Sequence, residues 1–207
     1  MFLAFIHGFM LALGLILPLG AQNIFVFNQG THARKLTDVL AAVLAASFCD
    51  TLLILLAATG ASLLAFSFPV IQNLFLTAGI IFLIWIGCSI WKNTKVHQET
   101  DNGRLPAKKQ ITFALSVSLL NPHAILDTVG VIGTSALRYS GPEKWTFVAA
   151  CISVSWVWFF VLALSGHGIG KITNGPQALR LINRLSALLI WGIAVFVAVG
   201  LIRSLSG

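Results

Sequence analysis

The chain has 207 residues, of which 57% are hydrophobic and 9% charged, and its mean hydropathy is +0.93. A water-soluble domain of this length needs far more polar surface, so the composition selects the membrane class. The net charge of +7 does not indicate a nucleic-acid binder, because Lys and Arg fall in gaps between apolar runs rather than on one folded face.

Spanning about 30 Å of hydrocarbon takes roughly 20 helical residues. Six runs reach that length, at about 2–27, 39–65, 68–91, 111–136, 145–166 and 184–203. Helices are expected because backbone groups in lipid must pair within their own segment or in a closed barrel, and the runs lack the two-residue alternation of barrel strands. The first run has no Lys or Arg ahead of it, and "LPLGAQN" is a poor cleavage site, so it reads as a retained membrane helix. The second and third are separated only by Ser67-Phe68-Pro69, which predicts a helical hairpin. Residues 92–110, "KNTKVHQETDNGRLPAKKQ", form the one long polar stretch and read as a solvated linker between two halves, 1–91 and 111–207. Cys49, Cys88 and Cys151 each lie in an apolar run without CxxC spacing, so they read as small hydrophobes, with neither a disulfide nor a metal site.

Orientation follows from the basic residues. The first, third and fifth gaps hold ten Lys and Arg, among them Arg34, Lys35, Lys108 and Lys109. The opposite side holds three, Arg138, Lys144 and Arg203. That places the 92–110 linker in the cytoplasm and both termini outside.

Each half opens with an interrupted helix: "LPLGAQN" (17–23) with Pro18 and Gly20, and "LNPHAILD" (120–127) with Pro122. Superposing Pro18 on Pro122 sets Asn23 opposite Asp127. Breaks at matching positions of two halves point to a transporter's binding site, and three helices per half force the repeats to be inverted. The expected fold is therefore an all-α polytopic membrane protein, six transmembrane helices as two inverted three-helix repeats with broken first helices. Proline removes one helical hydrogen bond and frees a carbonyl about four residues earlier, which is tolerated only where protein or water satisfies it. Such a break offers free carbonyls and a half-helix end, suited to an ammonium group or a carboxylate.

Of six acidic residues, Asp38, Glu99, Asp101 and Glu143 lie in or beside gaps, whereas Asp50 and Asp127 lie inside runs. An aspartate at a helix centre costs about 2.5–3.5 kcal/mol to insert, so such residues face the protein interior and serve a purpose. No Lys or Arg lies within an apolar core to neutralise them; Arg184 and Arg203 are at the ends of the sixth run, where they can snorkel. Two acids in a polar cavity would attract a cation or take up protons, with Gln22, Asn23, Asn121, Thr51 and Thr128 supplying neutral hydrogen bonds. His123 lies beside the second break, as a proton-transfer partner or a packed neutral side chain. His7 and His167 are placed near the interface without a role. Trp156 reads as packing or an interface anchor, with cation–π contact to a substrate as the alternative.

These residues also carry a resemblance. "LPLGAQNIFVFNQG" (17–30) resembles the first-helix signature P-x-G-P-Q-N of the lysine/arginine exporter (LysE/ArgO) family, and "LLNPHAILDTVGVIGT" (119–134) resembles its fourth-helix signature. "FCDTLL" is similar to the second-helix aspartate segment and "VSWVWFF" to the fifth-helix aromatic segment. The chain departs from the pattern at Ala21, where the family usually has proline, and the break there should be less rigid. The resemblance implies an inner-membrane exporter of basic amino acids driven by the membrane potential or a proton gradient, and it puts Asp50 and Asp127 on the family's acidic positions.

The expected function is thus secondary export of lysine or arginine across a bacterial inner or plasma membrane, with no catalytic residue, cofactor or metal. Partners would be the amino-acid substrate, protons or potential, the lipid bilayer and, through small residues such as Ala194 and Ala198, a possible second copy. The alternatives are export of neutral amino acids or of a metal cation, an intramembrane aspartyl enzyme with Asp50 and Asp127 about 3 Å apart around a water, and a structural membrane protein. The dispersed cysteines disfavour a soft-metal cargo, and no Gly-Lys-Ser/Thr phosphate loop is present for primary pumping.

Overall fold

The computed structural model describes residues 1–18, 20–60, 69–92, 105–121, 125, 127–172 and 176–206, and every regular element among them is helical. In chain order these are α1 (Phe2–Ile16), α2 (Ala21–Thr31), a 3-10 turn (Leu36–Asp38), α3 (Leu40–Ala58) and α4 (Pro69–Lys92). There follow α5 (Ala107–Leu120), a π-helical turn (Thr128–Gly133) running into a short helix (Thr134–Ala136), α6 (Gly141–Ile172) and α7 (Pro176–Ser206).

Local chemistry sets several ends. Gly60, at φ 80°, takes the left-handed conformation that closes α3, its N–H reaching back to Ala57 O at 3.0 Å. Pro106, extended at φ −62° and ψ 150°, caps α5, so Ala107–Gln110 already form its first turn and the polar linker ends earlier than the expected residue 110. α6 and α7 each begin beside a proline, Pro142 and Pro176, and run past the apolar segments that define them, because proline is pre-shaped for a first helical turn. The expected hairpin at Ser67-Phe68 lies outside the described residues.

The burial pattern is that of a protein whose solvent is lipid. α3 buries Ala42, Ala46 and Ser47 while exposing Leu44, Phe48 and Leu52, so small and polar side chains face inward and large apolar ones outward. α6 buries Ala150, Cys151 and Ser155 together with Phe147 and Phe159, and exposes Val157, Phe160 and Leu164. Leu40–Ala58, Gly141–Lys171 and Arg180–Arg203 are each long and apolar enough to cross a membrane. α1 and α2 meet the requirement jointly, as a pair bent by 75°. The chain is a multi-pass membrane protein. The described helices give three such spans, or four with the bent pair, against the six expected. The fourth run is divided after Leu120, and in the third the apolar stretch of α4 is Leu76–Trp91, too short to count alone.

α6 is the spine. α1 and α2 both lie along it through glycines: a Cβ on Gly8 would meet Phe147 O at 2.5 Å, and one on Gly30 would meet Ala163 O at 2.6 Å. α3 packs on α6, on α5 and on the π-helical turn, and α4 packs on α7. Ala194 is spent inside the chain, buried in a cluster with Leu83, Ile86 and Ile190.

Candidate functional site

The first break is a closed structure in its own right. α1 stops at Ile16, Gly20 is extended at φ −71° and ψ 169°, and α2 restarts at Ala21. Asn23 reaches back and donates its amide hydrogens to Ile16 O at 2.7 Å and Pro18 O at 3.0 Å. The sequence reading left such carbonyls free for a substrate; here the chain's own asparagine occupies them. What remains at the break is the N-terminal end of α2, which has no side-chain cap. The first N–H groups of a helix lack intrahelical partners and carry the positive end of its dipole.

The second break follows from the residue before a proline being pushed out of helical geometry. α5 ends at Leu120, and Asn121 is extended at φ −85° and ψ 100°. Pro122 and His123 themselves lie outside the described residues. Beyond them Asp127 leads into the π-helical turn, a widened geometry that recurs at functional sites. Asn121 Oδ1 is buried with no hydrogen-bond partner among the described residues. A buried acceptor in that state costs free energy unless a water or a ligand donates to it.

Both breaks open onto one cavity of about 180 Å³. Pro18, Gly20, Gln22 and Asn23 line it from the first break, and Asn121, Asp127 and Thr128 from the second. Asp50 enters from α3, one residue past the middle of Leu40–Ala58. Ser155 of α6 also lines it, and much of the remaining wall is apolar, with Ile16, Ile54, Ile132 and Phe159. Eight described residues singled out from the sequence therefore border a single space. That volume is on the scale of a small molecule rather than a peptide.

Asp50 is held by neutral donors from two other helices. Ser155 Oγ on α6 donates to Asp50 Oδ2 at 2.8 Å, and Gln22 Nε2 on α2 donates to Oδ1 at 3.3 Å. Ser155 was not foreseen; its only sequence signal is the hydroxyl within "VSWVWFF", and serine in a membrane helix is commonplace. Thr51 is turned away from the site: its hydroxyl donates to Ser47 O at 2.8 Å and accepts from Trp156 Nε1 at 3.0 Å. Trp156 also meets the Phe48 ring edge-on at 5.5 Å, so it is a packing residue. His7 contacts the Tyr139 hydroxyl at 2.9 Å and His167 contacts Ala33 O at 3.0 Å, both away from the cavity. Cys151 lines the cavity with its thiol directed at Gly8 O, 3.4 Å away. No group of three His, Cys, Asp or Glu side chains that could hold a metal ion is found among the described residues.

A helical bundle with an apolar exterior and two broken helices meeting at a small, acid-bearing cavity defines the transporter class. The chain belongs to the LysE type translocator family, whose profile matches residues 13–201. It is a transporter and not an enzyme. It is 46% identical over 198 residues to a Bacillus subtilis (strain 168) protein named "Putative amino-acid transporter YisU", covering 96% of this chain and 90% of that one. It is 33% identical over 203 residues to "Arginine exporter protein ArgO" of Pectobacterium carotovorum subsp. carotovorum (strain PC1), covering 96% and 98%. The protein of the same name from Serratia proteamaculans (strain 568) is 33% identical over 202 residues, covering 96% and 97%. No solved structure matches.

Proposed function

We propose that this protein exports basic amino acids, arginine foremost, across a bacterial inner or plasma membrane as a secondary transporter. The observation that carries the reading is that Asp50 and Asp127 line the same cavity as the uncapped start of α2. An amino acid with a cationic side chain presents a carboxylate and two positive groups. The α2 N-terminus suits the carboxylate, and the two aspartates suit the cations. Asn121 Oδ1 supplies an acceptor with spare capacity for an ammonium or guanidinium N–H. The two relatives named as arginine exporters support the choice of substrate. The same carboxylates can take up a proton, which would couple export to a proton gradient; the membrane potential alone is the other source of drive.

The packing supports two inverted repeats. In it the broken first run (α1, α2) lies on α6, the broken fourth run (α5 and the π-helical turn) lies on α3, α3 lies on α6, and α4 lies on α7. Exchanging the halves, so that the first run becomes the fourth, α3 becomes α6 and α4 becomes α7, turns this set of contacts into itself. A two-fold axis in the membrane plane has that effect, and it would put the shared site at the bilayer's middle.

The test is flux of labelled arginine, lysine and a neutral amino acid in cells with and without the protein. Faster loss of arginine or lysine alone supports the reading. Faster loss of the neutral amino acid alone would contradict the basic specificity, and no change for any of the three would contradict amino-acid export.

A further inference from the structure

A second, larger cavity of about 590 Å³ lies between the α2/α5 pair and the α4/α7 pair. Its wall includes Asn28 and His32 of α2 and its C-terminal cap, Ser89 of α4 and Asn183 of α7, with Lys108 and Lys109 from the exposed first turn of α5. The two cavities are strung along the same two half-helices. α2 starts at the aspartate-lined cavity, at Gln22 and Asn23, and ends at the second one. α5 runs the other way, from Lys108 and Lys109 at the second cavity to Asn121 at the first.

Between them the two helices close an apolar layer. Phe25 of α2 and Phe113 of α5 meet at a tilt of 32° with ring centroids 4.4 Å apart, and Phe25 is 3% exposed. Phe113 packs on two buried clusters at once, one holding Phe25 and the other Ile24 and Val117. The layer is thin. On α5 the cavities are separated by the step from Ser116 to Asn121, about 7.5 Å of helix at 1.5 Å per residue. On α2, Asn23 borders one cavity and Phe25 the other.

We propose that the second cavity is the cytoplasmic vestibule of the transport path and that the Phe25–Phe113 pair is the gate closing it off from the aspartate-lined cavity. This rests on the transporter reading above and on the side of the membrane that the Lys and Arg distribution assigns to Lys108 and Lys109. An apolar constriction excludes hydrated ions because a charged or zwitterionic solute would shed water there without replacement hydrogen bonds. The gate has a means of opening: α5 is a half-helix that ends at Leu120, where Asn121 is extended, so it can tilt and part the rings while the Asn23 clasp holds α2. The vestibule's wall, rich in amide and hydroxyl groups, receives a polar solute of amino-acid size before the gate.

The experiment is thiol labelling in inside-out membrane vesicles with a membrane-impermeant methanethiosulfonate, in protein whose Cys49, Cys88 and Cys151 are replaced by Ser. One reporter is Ser116→Cys in the vestibule and the other Leu15→Cys in the inner cavity. Ser116→Cys is expected to react promptly from the cytoplasmic face whether or not the phenylalanines are present. Leu15→Cys is expected to react slowly with the phenylalanines in place, and roughly tenfold faster or more once Phe25→Ala and Phe113→Ala are combined, because the apolar layer is gone. Phe113→Ala alone, which spares the more deeply buried ring, gives an intermediate rate. Phe25→Leu with Phe113→Leu keeps the layer and the slow rate, which separates gating from general loosening. Equal Leu15→Cys rates with and without the rings would overturn the gate, and Ser116→Cys labelling only from the opposite face would overturn the vestibule. No amino acid is present in this assay, so its outcome stands apart from the flux result.

Discussion

Ser155 on α6 donates its hydroxyl hydrogen to Asp50 Oδ2 on α3 at 2.8 Å, while Gln22 on α2 holds the other carboxylate oxygen at 3.3 Å. Three helices thus converge on one carboxylate in the middle of a membrane helix, and each partner is neutral. A hydrogen bond to a charged group is worth about 1.5–3 kcal/mol. Ser155→Ala is therefore expected to leave the protein in the membrane but slow arginine efflux by about tenfold, the factor that ~1.4 kcal/mol represents. Ser155→Thr, which keeps the hydroxyl, should retain most activity. Efflux from Ser155→Ala equal to the parent would show that Asp50 needs no such donor.

Asn23 is the clasp of the first break, with one amide nitrogen on Ile16 O and Pro18 O. Asn23→Ala leaves two carbonyls unsatisfied, at a cost of about 1–3 kcal/mol each before waters compensate. Asn23→Asp should be no better, since a carboxylate turned towards two carbonyl oxygens repels both. Thermal unfolding in detergent is expected to show a lowered midpoint for both variants, with Asp at or below Ala. An unchanged midpoint for Asn23→Ala would assign the residue to the substrate instead.

Gln110, 1% exposed, ties two helix ends together: its Oε1 accepts from Ala42 N–H at 3.2 Å, and its Nε2 donates to Asp38 O and Leu105 O, each at 2.8 Å. The Ala42 N–H belongs to the first turn of α3, which has no other side-chain cap. Gln110→Leu should destabilise the protein by about 2 kcal/mol, because the carbonyls of Asp38 and Leu105 lose their donor and Ala42 N–H keeps only its bond to Val39 O. Gln110→Glu restores only the acceptor and should fall between. Both are read as unfolding midpoints at equal lipid and detergent content.

The glycines of the α2/α6 seam are not equivalent. Gly30→Ala would put a methyl group 2.6 Å from Ala163 O, a backbone atom that cannot swing aside. A Cβ at Gly168 of α6 meets nothing within 4 Å. Gly30→Ala should therefore cost stability and efflux together, whereas Gly168→Ala should be neutral or gain up to ~1 kcal/mol from helix propensity. Equal behaviour of the two variants would contradict the close approach of α2 and α6.

The features legible in the sequence were those that violate a rule of lipid burial. Asp50, Asp127, Pro18 and Pro122 stood out because a carboxylate or a broken hydrogen-bond ladder is costly in hydrocarbon. Their described neighbours Gln22, Asn23, Asn121 and Thr128 border the same cavity. What was not legible obeys the rules. A serine in a helix can bond its own backbone, so nothing marked Ser155 as a partner of Asp50. Asn23 read as a neutral hydrogen-bonding group of the cavity, and only the fold of the break shows that its amide nitrogen is already engaged by the chain's own carbonyls. The start of α5 was misplaced by its polar first turn, Ala107–Gln110, because hydropathy marks where a helix enters lipid and not where it begins. The vestibule depends on how α4 and α7 lie against α2 and α5, which no local pattern encodes.

The central claim is that Asp50 and Asp127 act through their charge on a cationic substrate or a proton. Asn at either position keeps the shape and much of the hydrogen bonding, and a neutral amide is cheaper to insert than a carboxylate. The decisive measurement is membrane-localised protein beside resistance to toxic arginine or lysine analogues, for Asp50→Asn and Asp127→Asn. The account predicts protein at or above the parent level with resistance lost. Full resistance in both variants at normal protein levels would contradict it.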